Sequence, residues 1–293
     1  MKPAPLDHVR ASSLDHAIES LVAGDGDAKI LAGGQSLVPL LAMRLAQPAT
    51  LVDLGGLRDL DYIRDDGSHV EIGAMTRSRV VETSPIVAGA LPLLPAALRH
   101  VGHVTIRNRG TLGGSVAHAD PAAEAPSVLR ALDAEIVATG PAGRRTIPAA
   151  DFFQGFLLSA LDADEILTAI RIPRQPAGSV VAVEEFARRH GDFALVAVFG
   201  TARLGATGEI EDMRIGVAGA ASTPLRAEAA ERLLVGRSPT PDVVAAAAAA
   251  VAEATDPAED IHAPAEYRRH LAEVLTRRCL NRLFTHAERN AAA

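Results

Sequence analysis

The chain has 293 residues, a formal net charge of −7, and a composition that is 48% hydrophobic, 22% charged and 3% aromatic. This length allows two domains or one large domain with a sizeable core, and the composition is ordinary for a soluble globular protein. The acidic balance and the scarcity of aromatic rings on which bases could stack argue against nucleic acid as a partner.

Cysteine usage and hydropathy exclude further classes. Cys279 is the only cysteine, so this chain has no internal disulfide, four-thiolate iron–sulfur cluster or cysteine zinc site. No apolar run approaches the length of a membrane span, and Met1–Pro5 leads into mixed sequence without a signal-peptide core. We therefore expect a cytoplasmic protein with no transmembrane segment.

The first 55 residues predict a small α/β unit. Apolar residues recur at helical spacing over 13–23, with Ser12 or Ser13 as the N-cap and Gly24 at the end. The remaining elements of this unit are a strand over 28–32, a short helix or turn over 37–43, and a strand over 50–54.

The middle of the chain mixes hairpins with helices. An Asp-Gly pair within residues 65–68 separates two alternating segments, which is a strong hairpin signal. Thr76 is predicted to cap a helix that extends through Val81. Further predicted elements are helices over 91–101 and 126–132, a hairpin of 134–139 and 144–147, and a strand over 166–172 that ends at Pro173.

The pattern changes after residues 174–178, which have the composition of a linker. Strands are segregated from helices beyond this point, and such an order indicates an α+β module with its own core. The strands are predicted over 180–186, 194–204 and 210–218, and three helices over 224–235, 241–254 and 264–287.

Two glycine pairs precede small hydroxyl residues: Gly33-Gly34 comes before Gln35-Ser36, and Gly113-Gly114 comes before Ser115. Glycine permits the positive φ that points successive N–H groups into one concavity, and it has no Cβ to hold a pyrophosphate away. Paired glycines also occur in ordinary turns, but two such loops favour backbone laid against an anionic ligand. Neither the Rossmann pattern G-x-G-x-x-G nor the P-loop pattern occurs, so the ligand would be held in another way.

The sequence shows no catalytic nucleophile with a base and no metal site. His118 and Asp120 fit either an acid–base or metal pair or a polar turn near a bound cofactor, and the turn is favoured because no third ligand stands nearby. His100 and His103 are interpreted as helix-end residues. The charged stretch 188–193 is either a solvated strand end or a segment that closes over a flat ring.

Four segments, 31–37, 106–115, 119–124 and 166–173, carry a resemblance to a known family. Together they resemble the FAD-binding medium subunit of the molybdenum hydroxylases, whose members include carbon monoxide dehydrogenase and the multi-subunit xanthine, nicotine and caffeine dehydrogenases. The resemblance covers nearly the whole chain in order and length.

The resemblance implies an α+β fold with two domains. Residues 1–175 would form a FAD domain like that of vanillyl-alcohol oxidase (the PCMH type), with FAD between subdomains of about 1–55 and 56–175. Residues 179–288 would form the C-terminal domain of the family, a three-stranded antiparallel sheet followed by three helices.

The resemblance also implies which residues contact FAD. The first glycine loop, with Lys29, would lie along the diphosphate, because N–H groups and one cation suit two phosphate charges. The second loop would hold the other side of the diphosphate and the ribityl chain. Val101 would pack near the adenine, Glu124 would hydrogen-bond sugar hydroxyls, the backbone at Ile166 would touch the isoalloxazine edge, and Phe193 would cover the ring. The full implied set is Lys29, Leu31, Ala32, Gly33, Gly34, Gln35, Ser36, Leu37, Val101, Thr111, Leu112, Gly113, Gly114, Ser115, His118, Asp120, Glu124, Ile166, Leu167 and Phe193.

This sequence departs from the family pattern at three places. Glu124 stands where aspartate is more usual, and Ser115 stands where asparagine is frequent. Glu184 or Glu185 stands where some relatives have a lysine near the flavin ring. The last departure raises the question of the charge at the pyrimidine edge, and with it the reduction potential.

The function that the resemblance implies is electron transfer within an oxidoreductase complex. A large partner subunit with molybdopterin would oxidise the substrate, a small partner with [2Fe–2S] clusters would relay electrons, and FAD in this chain would pass them to quinone, NAD or oxygen. The implied assembly is a dimer of heterotrimers. Two alternatives stay open: a self-sufficient flavin oxidase with its own substrate cavity and base, and a non-catalytic dinucleotide-binding module.

Overall fold

The computed structural model describes residues 2–291. The N-terminal unit consists of β1 (Asp7–Arg10), α1 (Leu14–Ala23), β2 (Ala28–Leu31), α2 (Leu37–Ala42) and β3 (Thr50–Asp53). Its strands form a parallel sheet in the order β1-β3-β2. The hydroxyl of Ser13 accepts the N–H of His16 at 3.1 Å and so caps α1, as predicted.

The central unit is built on a five-stranded antiparallel sheet in the order β4-β5-β10-β6-β7. The middle strand, β10, is also the longest. A 3-10 turn at Arg58–Leu60 leads into this unit. Its elements are β4 (Ile63–Asp65), β5 (His69–Gly73), α3 (Ser78–Thr83), α4 (Pro85–Ala90), α5 (Leu93–Leu98), α6 (Val104–Arg109), α7 (Leu112–His118), α8 (Glu124–Ala131), β6 (Glu135–Gly140), β7 (Gly143–Pro148), α9 (Ala149–Phe152), β8 (Phe153–Gly155), β9 (Leu158–Ser159) and β10 (Ile166–Pro173).

The C-terminal unit packs helices on one face of a second antiparallel sheet, in the order β11-β12-β13-β14. The long last helix contacts the first two strands of this sheet. The elements are β11 (Val180–Phe186), β12 (Val196–Leu204), β13 (Ile210–Ala218), β14 (Leu225–Arg226), α10 (Glu228–Leu234), α11 (Pro241–Ala254) and α12 (Ala265–Ala291).

This sheet has four strands, so the predicted three-stranded sheet is wrong in that detail. The additional strand β14 pairs with Gly216 and Val217 and lies inside the segment predicted as helix 224–235. The guanidinium of Arg226 holds it in place through Glu231 at 2.9 Å. A strand of two residues has no alternation that a sequence pattern could reveal.

Two other differences bear on the site. Thr76 does not cap a helix, because its Oγ1 accepts the N–H of Tyr62 at 3.1 Å and donates to the carbonyl of Tyr62 at 3.0 Å. The helices α6 and α7 were not predicted from the sequence. The first has no buried residue and the second contains Gly113 and Gly114, so neither shows the apolar stripe of a helix.

The cores of the N-terminal and central units meet at the start of β10. Ile166 packs into the core of the N-terminal unit with Ala17 and Leu21, whereas its neighbour Leu167 belongs to the core of the central unit. Side chains on successive strand residues point to opposite faces, so one strand contributes to both cores. Within residues 2–291, no helix is both long and apolar enough to cross a bilayer.

Candidate cofactor-binding site

The first glycine loop leaves the carboxyl end of β2 and leads into α2. Its residues, Leu31 to Leu37, are all partly exposed, and Gly34 has a φ of +70°. Within the described residues, the backbone N–H groups of Gly33, Gly34, Gln35 and Ser36 donate to no protein acceptor. A loop of accessible, unpaired N–H groups at positive φ is suited to bind an anion.

The second glycine loop is the first turn of α7. Thr111 is its N-cap, and its Oγ1 accepts the N–H of Gly114 at 3.0 Å. The N–H of Gly113 donates to the carbonyl of Ala74 at 3.0 Å, and a Cβ added at Gly113 would lie 2.6 Å from the Cβ of Ala74. The glycines here let a helix pack closely on the end of β5, and these two N–H groups are already satisfied by the protein.

The two loops converge. A Cβ added at Gly33 would lie 2.5 Å from the carbonyl oxygen of Arg109, 2.7 Å from the Cα of Gly110 and 3.0 Å from the amide nitrogen of Thr111. One added at Gly114 would lie 3.5 Å from the Cβ of Ala32. The backbone of the N-terminal unit therefore touches the backbone of the central unit exactly where both glycine pairs lie, beside the start of β10.

The segment between α5 and α6 forms a further side of this region. The guanidinium of Arg107 donates to the carboxylate of Glu82 at 2.8 Å and to the carbonyl of Val101 at 2.9 Å. Glu82 is buried, and Val101 is partly buried against the core of the central unit. A bidentate donor thus fixes Val101, which the sequence predicts to be near the adenine.

The charged stretch between β11 and β12 packs against that segment. Gly191 has a φ of +90°, and a Cβ added there would lie 2.7 Å from the imidazole of His103. The rings of His103 and His190 have their centroids 5.3 Å apart. Phe193, at the end of the stretch, is 57% exposed, so its ring face is available for a ligand.

His118 and Asp120 lie at the turn that follows α7. Ala119 between them has a φ of +54°, and the Asp120 carboxylate accepts the N–H of Ala122 at 2.9 Å. This is the polar turn favoured from the sequence. Within residues 2–291 no group of three or more His, Cys, Asp and Glu side chains is arranged to hold a metal ion.

One buried and one partly buried carboxylate lie next to this turn. Glu124 opens α8 and is 5% exposed, and burial raises its pKa to about 8, with Glu185 and Asp120 adding to the effect. Burial also raises the pKa of Glu185 to about 7. The Oε2 atom of Glu185 is buried without a hydrogen-bond partner, and His100 Nδ1 lies 3.6 Å away, just beyond hydrogen-bond length.

Arg107 is not in the implied set of FAD contacts, and the resemblance left open whether Glu184 or Glu185 stands near the flavin ring. A signal for Glu185 exists in the strand pattern, because Glu184 and Glu185 are adjacent in a half-buried strand and one of them must point inward. Glu184 pairs with Arg282 at 2.9 Å, which leaves Glu185 as the inward residue. Arg107 gave no signal, since its carboxylate partner Glu82 lies 25 residues away in the sequence.

Lys29 has no hydrogen bond or ion pair to either glycine loop in the part of the chain that the structure describes. It is exposed on β2 and lines a surface depression of about 290 Å³. That depression includes no residue of either glycine loop; it is lined by Gly26, Asp27, Lys29, Leu45, Ala46, Gln47 and Pro48.

Two family profiles match the chain in succession. Residues 4–175 match the family described as FAD binding domain in molybdopterin dehydrogenase. Residues 181–283 match the family described as CO dehydrogenase flavoprotein C-terminal domain.

Individual proteins are similar over nearly the same span. The nicotine 6-hydroxylase medium subunit of Paenarthrobacter nicotinovorans is 42% identical over 96% of this chain and 98% of its own length. The 6-hydroxypseudooxynicotine dehydrogenase complex subunit alpha of the same organism is 40% identical over 98% and 97%. A solved structure of carbon monoxide dehydrogenase from Hydrogenophaga pseudoflava superposes with a TM-score of 0.94 at 39% identity, covering 97% of this chain and 99% of that one.

Proposed function

Because this chain belongs to the family of FAD-binding medium subunits of the molybdenum hydroxylases, we propose that it is the flavoprotein subunit of such a complex. In this function FAD accepts electrons from the [2Fe–2S] clusters of a partner subunit and passes them to an external acceptor. The observation that carries the proposal is the meeting of two glycine loops from different units around unpaired backbone N–H groups.

The residues present fit FAD. The N–H groups from Gly33 to Ser36 would hold the diphosphate, and Thr111, Leu112, Gly113, Gly114 and Ser115 would line its other side by close approach of the backbone. Glu124 would meet sugar hydroxyls, and Phe193 would pack on the ring. When bound, FAD supplies the ability to take electrons singly and release them as a pair.

Further members of the implied set have positioning roles in the proposal. Ala32 and Leu31 lead the chain into the first loop, and Leu37 begins the helix behind it. His118 and Asp120 shape the turn below Glu124. Val101 would pack near the adenine, and the strand backbone at Ile166 and Leu167 would touch the isoalloxazine edge. Lys29 would contribute a positive charge on the approach to the diphosphate.

The proposed architecture is a PCMH-type FAD domain over 1–175, with subdomains of about 1–55 and 56–175, and a C-terminal domain over 179–288. The proposed partners are a large molybdopterin subunit and a small [2Fe–2S] subunit in a dimer of heterotrimers, located in the cytoplasm. Relatives named as a complex subunit, a medium subunit and a medium chain support the partners.

The test is anaerobic mixing with the chain loaded with FAD. We expect the flavin absorbance to bleach when the reduced [2Fe–2S] partner is added and to remain when organic substrates are added to this chain alone. Bleaching by a substrate without partners would instead favour a self-sufficient oxidase. A bound dinucleotide that cannot be reduced and reoxidised would favour a binding module.

A further inference from the structure

Glu185 is a partly buried carboxylate with one fully buried oxygen atom, and the electron-transfer function does not use it. Its side chain is only 10% exposed, and one of its oxygen atoms has no partner in the described part of the chain. An ionised carboxylate buried in this way is costly, so it either binds a proton or meets a donor from a ligand.

The surroundings of Glu185 point to the candidate cofactor site. Glu185 acts electrostatically on Glu124, which in turn lies near Asp120 at the end of α7, the helix that the second glycine loop opens. The strand β11 that carries Glu185 runs directly into the stretch that ends at Phe193. A second contact joins the same parts of the fold, because the N–H of Gly219 donates to the carbonyl of Pro121 at 2.9 Å.

His100 gives Glu185 a route to solvent. Its Nδ1 atom lies 3.6 Å from Glu185 Oε2, while its side chain is 38% exposed. Burial lowers the pKa of His100, so the imidazole is mostly neutral at pH 7 and able to receive and release a proton. A proton from water can reach the buried oxygen through this one side chain once the 3.6 Å gap closes to hydrogen-bond length.

The remaining charges around the pair oppose one another. Glu184 raises the tendency of His100 to hold a proton. Arg282, His190 and Arg107 lower it. Glu184 and Arg282 are paired with each other at 2.9 Å, and Arg107 is held by Glu82. The charged and titratable groups facing the pair are Arg107, Glu124, Glu184, His190 and Arg282, and behind them Glu82 pairs with Arg107 and Asp120 lies near Glu124.

We propose that Glu185 and His100 form a proton-exchanging pair that takes up one proton from water when two electrons enter the flavin. This proposal rests on the proposed function. The electrons come from the [2Fe–2S] partner and remain on the flavin, while one O–H bond forms at the Glu185 carboxylate. On reoxidation by the acceptor the O–H bond breaks and the proton returns to water through His100, so Glu185 itself is neither oxidised nor reduced.

The consequence is a reduction potential that depends on pH in two regimes. Added negative charge on the ring raises the proton affinity of Glu185, so uptake occurs above about pH 7, where the carboxyl is ionised before reduction. Below about pH 6, Glu185 holds its proton in both redox states and adds nothing. In the upper regime each pH unit changes the reduction equilibrium by a further factor of ten, about 30 mV for a two-electron couple.

The experiment is a spectroelectrochemical titration of the FAD-loaded full chain from about pH 5.5 to about pH 9, with wild type and Glu185→Gln compared. Above about pH 7, we expect the wild-type potential to fall by about 30 mV more per pH unit than that of E185Q, which is the tenfold factor in the reduction equilibrium. Below about pH 6, we expect the two slopes to agree. The matched control is Glu184→Gln, which removes a charge from the adjacent residue and should shift the potential without changing its slope.

A second measurement covers the case in which E185Q binds FAD poorly. The reduced-minus-oxidised infrared spectrum of the wild type should show the C=O stretch of a newly protonated carboxylic acid above about pH 7, and E185Q should lack that band. Parallel slopes in wild type and E185Q, or a band that disappears in Glu124→Gln and persists in E185Q, would overturn the proposal. A wild-type chain that binds no FAD would instead overturn the proposed function.

Discussion

Gly33 is the residue on which the meeting of the two loops depends most directly. Three backbone atoms of the second loop lie within 3.0 Å of the point where its Cβ would stand. Backbone cannot rotate away as a flexible side chain can, so any larger residue would force the two units apart. Glu124 and Glu185 are the other critical residues, because burial changes their proton affinity.

Gly33→Ala should therefore lower FAD affinity at least tenfold and reduce the free energy of unfolding by about 1–3 kcal/mol. The measurements are flavin retention after gel filtration and urea denaturation. The control is Gly89→Ala, since a Cβ there meets nothing within 4 Å and the site lies inside a helix. That variant should keep FAD and gain up to about 1 kcal/mol. Equal behaviour of both variants would show that the loops do not need this close approach.

Glu124 should make the chain without FAD less stable as pH rises. The folded state holds the Glu124 proton up to about pH 8, because burial raises its pKa, whereas the carboxyl in the unfolded chain releases its proton near the ordinary glutamate pKa of 4.5. The folded state thus binds more protons between these values, and the free energy of unfolding falls by on the order of 5 kcal/mol across that range. Urea denaturation at several pH values measures this.

Glu124→Gln should flatten that pH profile, because the amide does not titrate. Glu19→Gln, at an exposed position on α1, is the control and should leave the profile unchanged. A wild-type profile that rises with pH in this range would contradict the assignment of a protonated, buried Glu124.

At the scale of elements, the site is assembled from strand ends and short helices held by a few side chains. The parallel sheet delivers the first loop, β5 and α7 deliver the second, and β10 lies between them. Arg107 on α6 ties the segment before it to Glu82 on α3. These short helices have few internal hydrogen bonds, so their placement depends on tertiary contacts.

Arg107→Lys should cost about 2 kcal/mol, because lysine keeps the charge but cannot donate to Glu82 and Val101 together. Hydrogen exchange should quicken at the amides of residues 100–103, because the carbonyls of Val101 and Gly102 lose their guanidinium donor and the segment loosens. Arg79→Lys is the matched control, because Arg79 donates to the same Glu82 but its side chain is 43% exposed. It should cost less than about 0.5 kcal/mol. Similar losses in both would argue against the anchoring role of Arg107.

Sequence patterns predicted the elements with clear periodicity and missed those without it. The Ser13 cap, the Asp-Gly hairpin and the buried run of β10 all follow from local chemistry. The helix α7 was not found, because its glycines conceal it and because Ala74, which explains Gly113, is distant in sequence. Convergence of the two loops was predicted from resemblance and composition, whereas the unpartnered oxygen of Glu185 follows only from three-dimensional packing.

At the scale of the whole molecule, the C-terminal unit is tied to the central unit through a buried amide. The Gln175 side chain accepts the N–H of Leu93 at 3.0 Å and donates to the hydroxyl of Thr201 at 2.7 Å. One side chain thus satisfies a helix start in one unit and a central strand in the other. The proposed site draws on both units, because Phe193 and Glu185 come from the C-terminal one.

Gln175→Leu should lower the free energy of unfolding by about 2–3 kcal/mol, since it leaves buried polar groups of Leu93 and Thr201 unpaired. We expect the single unfolding transition to broaden or split as the units lose their coupling. Gln154→Leu, at an exposed position on β8, should change neither stability nor cooperativity. Calorimetry of the three proteins measures both effects, and an unchanged Gln175→Leu transition would show that the amide does not couple the units.

The donors of the first loop are main-chain amides, which neither titrate within the physiological range nor differ between amino acids. Binding through such groups keeps its strength from acidic to alkaline pH and tolerates substitution of the neighbouring side chains. The proposed pH dependence of the reduction potential, by contrast, comes from the Glu185 carboxyl on β11. Selection can therefore adjust how readily the bound flavin gives up electrons without loosening its attachment.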